Sequence, residues 1–492
     1  MDKQFVVLGG GTAGWLTALF LNKYFPKLKI TLIESKKIGI IGVGEATTPN
    51  VVHFLNSLGI NIIDFIKKTG GSIKNGISFE NWNGDNTKYF HGFSGKNEMS
   101  DFSIKNLFLN NCEDFYLKNL INKKLNFCEY DYVTNLSYKN KVNLFNTNFA
   151  LHFDTFETNI FFKNLSIERG INYVEGVCKE IKTDEKNFIS EIILDSNIKI
   201  KTDFIFDCSG FAREIISKHY KEKWHSYKSY LAMKKAIIFG KKRKMNKNIN
   251  PYTKAIAMKH GWVFEIPLQN RLGRGYIFDS NYTNEDKAIE EICEMYKEKI
   301  EVQKTIDFDA GSVENVWVNN CIAVGLSASF LEPLESTSLY LTCGQLEILK
   351  YFISDIINYN KSSVILYNKI IKNNTDETLN FIRLHYITKR KDTDFWKNYN
   401  KDYILPNSLK EKLEYIREGT LKKFNTDTIQ APLSFQLSSY LQVCNGLRLF
   451  EKSINVKGYE NIAPTIKENR KKISYMTKNS NLHYNFLSNL NL

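Results

Sequence analysis

Proline is scarce, with eight in 492 residues, and no stretch rich in Pro, Gly or Ser divides the chain. Flexible linkers between independent modules are therefore not expected, and the parts should share interfaces. The eight cysteines (Cys112, Cys128, Cys178, Cys208, Cys293, Cys321, Cys343 and Cys444) are scattered without a CxxC pair. That pattern excludes a disulfide framework and a zinc site, so no metal is expected. No run approaches the roughly 18 uninterrupted apolar residues that span a bilayer. The opening MDKQFVVLGGGTAGW has no basic leader before a small-residue cleavage site, so a soluble cytoplasmic protein is the expectation.

What the chain does have is apolar bulk, 43% hydrophobic and 13% aromatic, enough for one to three closely packed domains around a large core. Its formal charge of +14 raises the question of a nucleic-acid partner. The densest basic run (Lys241, Lys242, Arg243, Lys244 and Lys247) lies between AIIFG and the Asn-rich NKNIN. It lacks the interleaved aromatic rings on which bases stack. It reads as a solvated turn, and no nucleic acid is expected.

Strand-like and helical stretches alternate from the start: FVVLGGG, a helix through TALFLNKYF, then KITLIES, a βαβ unit. Strand-like runs recur at NFALHF, INYVEG, TDFIFDCSG, WVFEIPL, RGYIFD and CIAVGLS. From Thr337 the pattern turns helical, with one long stretch LYLTCGQLEILKYFISDIINY followed by ETLNFIRLHYITKR and DFWKNY. The fold class is therefore α/β, with residues 1–336 as a cofactor-binding module carrying an inserted substrate region and residues 337–492 as a mainly helical part packed on it.

Gly9, Gly11 and Gly14 form GxGxxG directly after a strand and at the start of a helix, and Glu34 closes the next strand. Glycines there allow a tight turn and close approach of backbone to a pyrophosphate, whose charge meets the helix N-terminus, while the acid binds ribose hydroxyls. The fingerprint alone does not divide NAD from FAD. IFDCSGFARE near residue 205 and CIAVGLSAS around Gly325 add late strands ending in small residues, as flavin monooxygenase-like folds have.

The segment GWVFEIPL resembles the WxWxIP signature of flavin-dependent halogenases of the tryptophan halogenase family, with Phe264 in place of its second tryptophan. IGVGEATTP, SIKNGISFENW and LEPLESTS are similar to other landmarks of that family and stand in its order. PYTKAIAMKHGW, RLGRGYIFDS and FIRLHYITKRKDTDFW carry the likeness to about residue 400. The resemblance implies a flavin monooxygenase-like FAD fold and an enzyme that makes hypohalous acid from FADH2, oxygen and a halide ion. Gly10, Thr12 and Ala13 would join Gly9, Gly11 and Gly14 on the pyrophosphate, Glu34 and Ser35 would lie on the ribose side, and Val177 beside the adenine. Glu45, Leu326 and Leu339 would line the flavin, and Trp262 and Phe264 would shield it.

Lys74 and Glu335 take the catalytic positions in this resemblance, Thr337 and Ser338 the halide-binding pair, and His91 and Phe93 the pair that sandwiches an aromatic substrate. Ser338 stands where the family has glycine. A buried lysine has a lowered pKa and a nucleophilic lone pair, which suits either haloamine formation or hydrogen bonding to hypohalous acid. The groups that grip the amino-acid end of free tryptophan have no counterpart in FQLSSYLQVCNG, so simpler indoles or phenols are expected substrates. The expected partners are a small aromatic molecule and a separate NAD(P)H-dependent flavin reductase, and a homodimer is allowed. Two rivals stand beside this reading: a hydroxylating flavin monooxygenase, and a basic nucleic-acid-binding protein on a vestigial flavin fold.

Overall fold

The computed structural model describes residues 3–39, 42, 44–93, 128–246, 248–418, 435–449 and 471–490. The apolar strand Gln4–Leu8 runs parallel to Lys29–Glu34 on one side and to Phe204–Asp207 on the other. Asn172–Glu175 and Cys321–Ala323 extend this sheet, and an antiparallel Trp317–Val318 completes six strands. Parallel strands covered on both faces need near-continuous apolar sequence, and Phe204–Asp207 and Cys321–Ala323 are buried at every residue. The helix Thr12–Tyr24 packs beside them with Trp15, Leu16, Ala18 and Leu19 in the core.

A second sheet has seven strands, in the order Val302–Asp307, Lys235–Lys242, Arg271–Phe278, Gly261–Pro267, Thr253–Ala257, Gly76–Glu80 and Lys88–Gly92. Side chains alternate between faces along a strand. In Gly261–Pro267 that alternation sends Trp262, Phe264 and Ile266 into one core, and Val263 into the opposite one with Ile237 and Tyr276. A small third sheet has Ala150–Phe153 at its centre, with Glu45–Ala46 on one edge and Ser72–Lys74 on the other.

Two sequence expectations are corrected. The strand Lys235–Lys242 runs into the basic run and takes in Lys241 and Lys242, because their partners Leu272 and Arg271 continue the ladder; Lys241 also pairs with Glu298. The run's first two residues are therefore strand, not turn, and Lys247 lies outside the described residues. The single helix expected through Tyr359 is two helices, Thr337–Leu349 and Ile353–Asn358. The break between them turns Phe352 into the core, where its ring lies 5.2 Å from that of Tyr367. The next helix, Lys361–Leu384, ends one residue before His385, so ETLNFIRL is helical and HYITKR is not. Among the described residues no helix is long and apolar enough to cross a membrane.

Candidate active site

The glycine fingerprint builds an open cradle. Gly9 has φ +121°, and a Cβ there would lie 2.2 Å from the Cys208 carbonyl oxygen; one on Gly14 would lie 1.9 Å from the Gly9 carbonyl oxygen. Only glycine lets the first strand, the strand Phe204–Asp207 and the helix come this close. Nothing lies within 4 Å of a Cβ built on Gly11, which caps the helix without a side-chain hydrogen bond. The first-turn N–H groups are thus left for an anion. Glu34 sits at the rim, and its backbone carbonyl accepts from Gly176, one residue before Val177. Ser35 follows directly. Gly325 presses against Ala13, where a Cβ would come within 2.6 Å of the alanine Cβ, and so brings the turn holding Leu326 to the same edge. These residues fit the pyrophosphate and ribose of FAD.

Sequence reading missed two neighbours of this cradle, Asn159 and Lys163, four apart on the helix Thr155–Glu168. Asn159 donates to the Gly10 carbonyl at 2.5 Å. Lys163 pairs with Glu34 at 3.0 Å and lies 3.7 Å from the Tyr173 ring centroid. Only their i,i+4 spacing shows in the sequence, and that spacing is common.

The second cluster lies where the three-stranded sheet hands the chain to the seven-stranded one. Lys74 ends its strand opposite Ala150, fully buried. Its amine donates to the Thr47 carbonyl and to Ser336 Oγ, each at 2.7 Å, and stands 5.5 Å from the Phe93 ring centroid. Burial pulls its pKa down to about 7, and the negative Glu335 only partly opposes this.

Glu335 is buried between two imidazoles. His91 Nδ1 lies 2.9 Å from both carboxylate oxygens, and His385 Nε2 lies 2.8 Å from one of them. His385 Nδ1 faces the Phe381 carbonyl at 2.9 Å. A carbonyl can only accept, so the His385 Nδ1 donates to it. Burial alone would raise the pKa of Glu335, but the charge of His91 and the hydrogen bonds from His385 and His91 outweigh it and hold the carboxyl well below its ordinary range. Glu335 (φ 65°) and Ser336 (φ 59°) are consecutive left-handed residues. Each such non-glycine conformation costs on the order of 1–3 kcal/mol. The pair turns the Glu335 side chain to the imidazoles and Ser336 to Lys74.

A cavity of about 90 Å³ adjoins this cluster, lined by Glu45, Trp262, Phe264, Glu335, Ser338 and Leu339 among others. The Phe264 ring finds room because its cross-strand neighbours are Ala255 and Gly275, where a Cβ would come within 2.5 Å of the ring. Trp262 donates to the Tyr386 hydroxyl at 3.0 Å, and that hydroxyl in turn donates to the buried Glu332. Thr337 and Ser338 open the helix Thr337–Leu349, whose N-terminus carries no side-chain cap. The structure therefore gathers Lys74, Phe93, His91 and Glu335 in one buried cluster, and places Glu335 in the cavity lining with Trp262, Phe264, Glu45 and Leu339.

Five residues of this site escaped sequence reading: Thr47, Glu332, Ser336, His385 and Tyr386. All lie inside segments already singled out (GEATTP, LEPLESTS and FIRLHYITKR), but nothing in those strings says which side chain faces the site. The segment FQLSSYLQVCNG forms the helix Leu437–Gly446 and the preceding Phe435, whose ring stacks on Phe381 at 3.9 Å.

A family model described as tryptophan halogenase matches residues 4–457. Among curated relatives, tryptophan 6-halogenase ThaL of Streptomyces albogriseolus is 30% identical over 451 residues, 85% of this chain and 82% of that protein. Tryptophan 7-halogenase RebH of Lentzea aerocolonigenes is 30% identical over 443 residues, with the same shares of 85% and 82%. Among solved structures, BrvH, a flavin-dependent halogenase from Brevundimonas sp. BAL3, is 25% identical and superposes with a TM-score of 0.85 over 100% of this chain and 99% of that one.

Proposed function

The chain belongs to the tryptophan halogenase family, and from that membership we propose that Lys74 and Glu335 direct halogen from hypohalous acid onto an electron-rich indole or phenol. It is a flavin-dependent halogenase, using FADH2 and a halide on aromatic substrates, with flavin reduced by a separate reductase. A hydroxylating monooxygenase and a nucleic-acid-binding protein are not favoured. Use of NAD(P)H by the reductase, a cytoplasmic location and the absence of a nucleic-acid partner belong to the proposal.

The observation that carries the reading is that Lys74 and Glu335, 261 positions apart by their numbers, meet at one buried end of the cavity through the Ser336 hydroxyl. Gly9 to Gly14, Glu34, Ser35 and Val177 hold the cofactor's adenosine diphosphate part, and Glu45, Leu326 and Leu339 line its ring. When bound, reduced flavin supplies with oxygen the two-electron oxidation of halide. The uncapped helix start at Thr337 and Ser338 holds the halide by backbone N–H groups. Trp262, held by Tyr386, and Phe264 keep the aromatic substrate beyond the roughly 3–3.5 Å at which direct transfer would occur. The oxidant must therefore travel, and a cavity of about 90 Å³ is open to a species as small as hypohalous acid.

At the far end the Lys74 amine meets the oxidant and orients its halogen, and Glu335 accepts the proton released as the ring regains aromaticity. Phe93, beside Lys74, bounds the space for the substrate ring. His91 holds Glu335, which supports a role in positioning the carboxylate besides stacking. The test is a screen with FAD, a flavin reductase and each of chloride, bromide and iodide against indoles and phenols, read by product isotope pattern. Halogenated product is expected; hydroxylated product, or none with any halide, would defeat the reading.

Free tryptophan is expected to be turned over poorly beside simple indoles, because the helix Leu437–Gly446 turns Ser438, Tyr440 and Leu441 into the core and presents no recognisable grip for an amino acid. Efficient turnover of tryptophan at low concentration, measured by competition in one vessel, would contradict this. The Ser338 side chain lines the cavity at the helix start, so bromide or iodide should outpace chloride. Ser338→Gly should move the ratio towards chloride, read from products formed at equal halide concentrations.

A further inference from the structure

Halide oxidation at a reduced flavin consumes a proton. One FADH2, one O2, one halide and one proton give FAD, one hypohalous acid and one water. The halide loses two electrons, an oxygen–oxygen bond breaks, a halogen–oxygen bond forms, and the departing oxygen leaves as water. Substitution on the aromatic ring releases its proton only later and beyond the Trp262–Phe264 pair, so the flavin end needs a donor of its own.

Two carboxyl groups line the cavity, those of Glu45 and Glu335. Glu335 is already committed as an ionised acceptor to both imidazoles and has no proton to give. Glu45 lies on the edge strand Glu45–Ala46, paired with Phe153, and its carboxyl makes no hydrogen bond or ion pair among the described residues. An unpaired carboxyl facing a cavity is free to exchange a proton with whatever enters.

We infer that Glu45 donates the proton taken by the departing oxygen when halide is oxidised, and recovers it from water through the cavity mouth. This rests on the halogenase reading above. Burial raises the carboxyl to about 7, so near neutral pH a large share of it carries a proton and can give it up. The titratable groups on neighbouring elements are turned elsewhere. His152, opposite Ala46, is bonded to Ser72 and Thr253; Lys74, on the far edge of the small sheet, is bonded to Thr47 and Ser336; Glu335 is held by His91 and His385.

The experiment uses full-length protein with FAD, a reductase and a diketone halogen trap in place of the aromatic substrate. At equal FAD occupancy, set by fluorescence quenching, Glu45→Gln should yield at least about tenfold less trapped hypohalous acid than wild type at pH 7, with hydrogen peroxide in its place. Glu45→Asp should recover part of the yield. Infrared titration should show protonated-carboxyl absorption vanishing near pH 7 in wild type from both Glu45 and Glu332, the two buried carboxyls raised to about 7; Glu332→Gln should leave only the Glu45 component, and the double variant Glu45→Gln/Glu332→Gln should lose it. If wild type traps hypohalous acid and Glu45→Gln matches it across pH, or the double variant keeps the component seen in Glu332→Gln, this inference is overturned and the halogenase reading stands. Wild-type protein that traps none with any halide overturns both.

Discussion

Lys74→Ala is expected to reduce halogenated product by at least about a hundredfold while reduced flavin is reoxidised at nearly the wild-type rate. The reason is spatial. Lys74 is buried and bonded to Ser336 beside Glu335, at the edge of the cavity that Glu45 and Leu339 also line, and in the proposed mechanism, where those two residues line the flavin, the lysine acts after oxygen has reacted. Oxidising equivalents that reach an alanine there should escape as free hypohalous acid, which a diketone trap in solution would collect. Product analysis beside stopped-flow flavin spectra checks both halves, and unchanged product would remove the lysine from the mechanism. The pH profile adds a sign. Burial brings the amine to about 7, so its neutral, nucleophilic form accumulates as pH rises through 7. Haloamine chemistry then predicts a halogen-transfer rate that climbs over that window, measured by adding hypohalous acid directly. A falling rate would assign the work to the ammonium form as hydrogen-bond donor.

Glu335→Gln should lower halogenation by about 10²–10⁴-fold, the usual range for loss of a positioned acid–base group. An amide also sets N–H against N–H, since His91 Nδ1 contacts both carboxylate oxygens and His385 contacts one. A stability signature follows. The folded-state pKa of Glu335 lies below its unfolded value of 4.5. Its contribution is therefore fully present above that value and is lost as pH falls through the lower folded value. Denaturant melts of wild type and Glu335→Gln should differ most near neutral pH and converge as the solution is made acidic below about 4.5. Parallel pH profiles would show that the carboxylate is not held by the two imidazoles in solution.

The sequence by itself determined what is local. Glycines at 9, 11 and 14 between an apolar strand and an apolar helix dictate a tight βα turn whatever surrounds them, and Gly275 with Ala255 leaves space for the Phe264 ring. Lys74, Glu335 and the helix start at Thr337 could be named only because SIKNGISFENW and LEPLESTS resemble landmarks of a known family. Tertiary structure alone decided the electrostatics. His91 and Glu335 are 244 residues apart and Lys74 and Ser336 are 262 apart, and the end of the Lys361–Leu384 helix delivers His385 to a carboxylate fifty residues earlier. The left-handed pair at Glu335 and Ser336 is likewise invisible in LEPLESTS, since non-glycine residues adopt it only when the packing around them compels it. Charge state depends on desolvation and on partners within a few ångströms, and those distances come into being only when remote strands and helices close around one cavity.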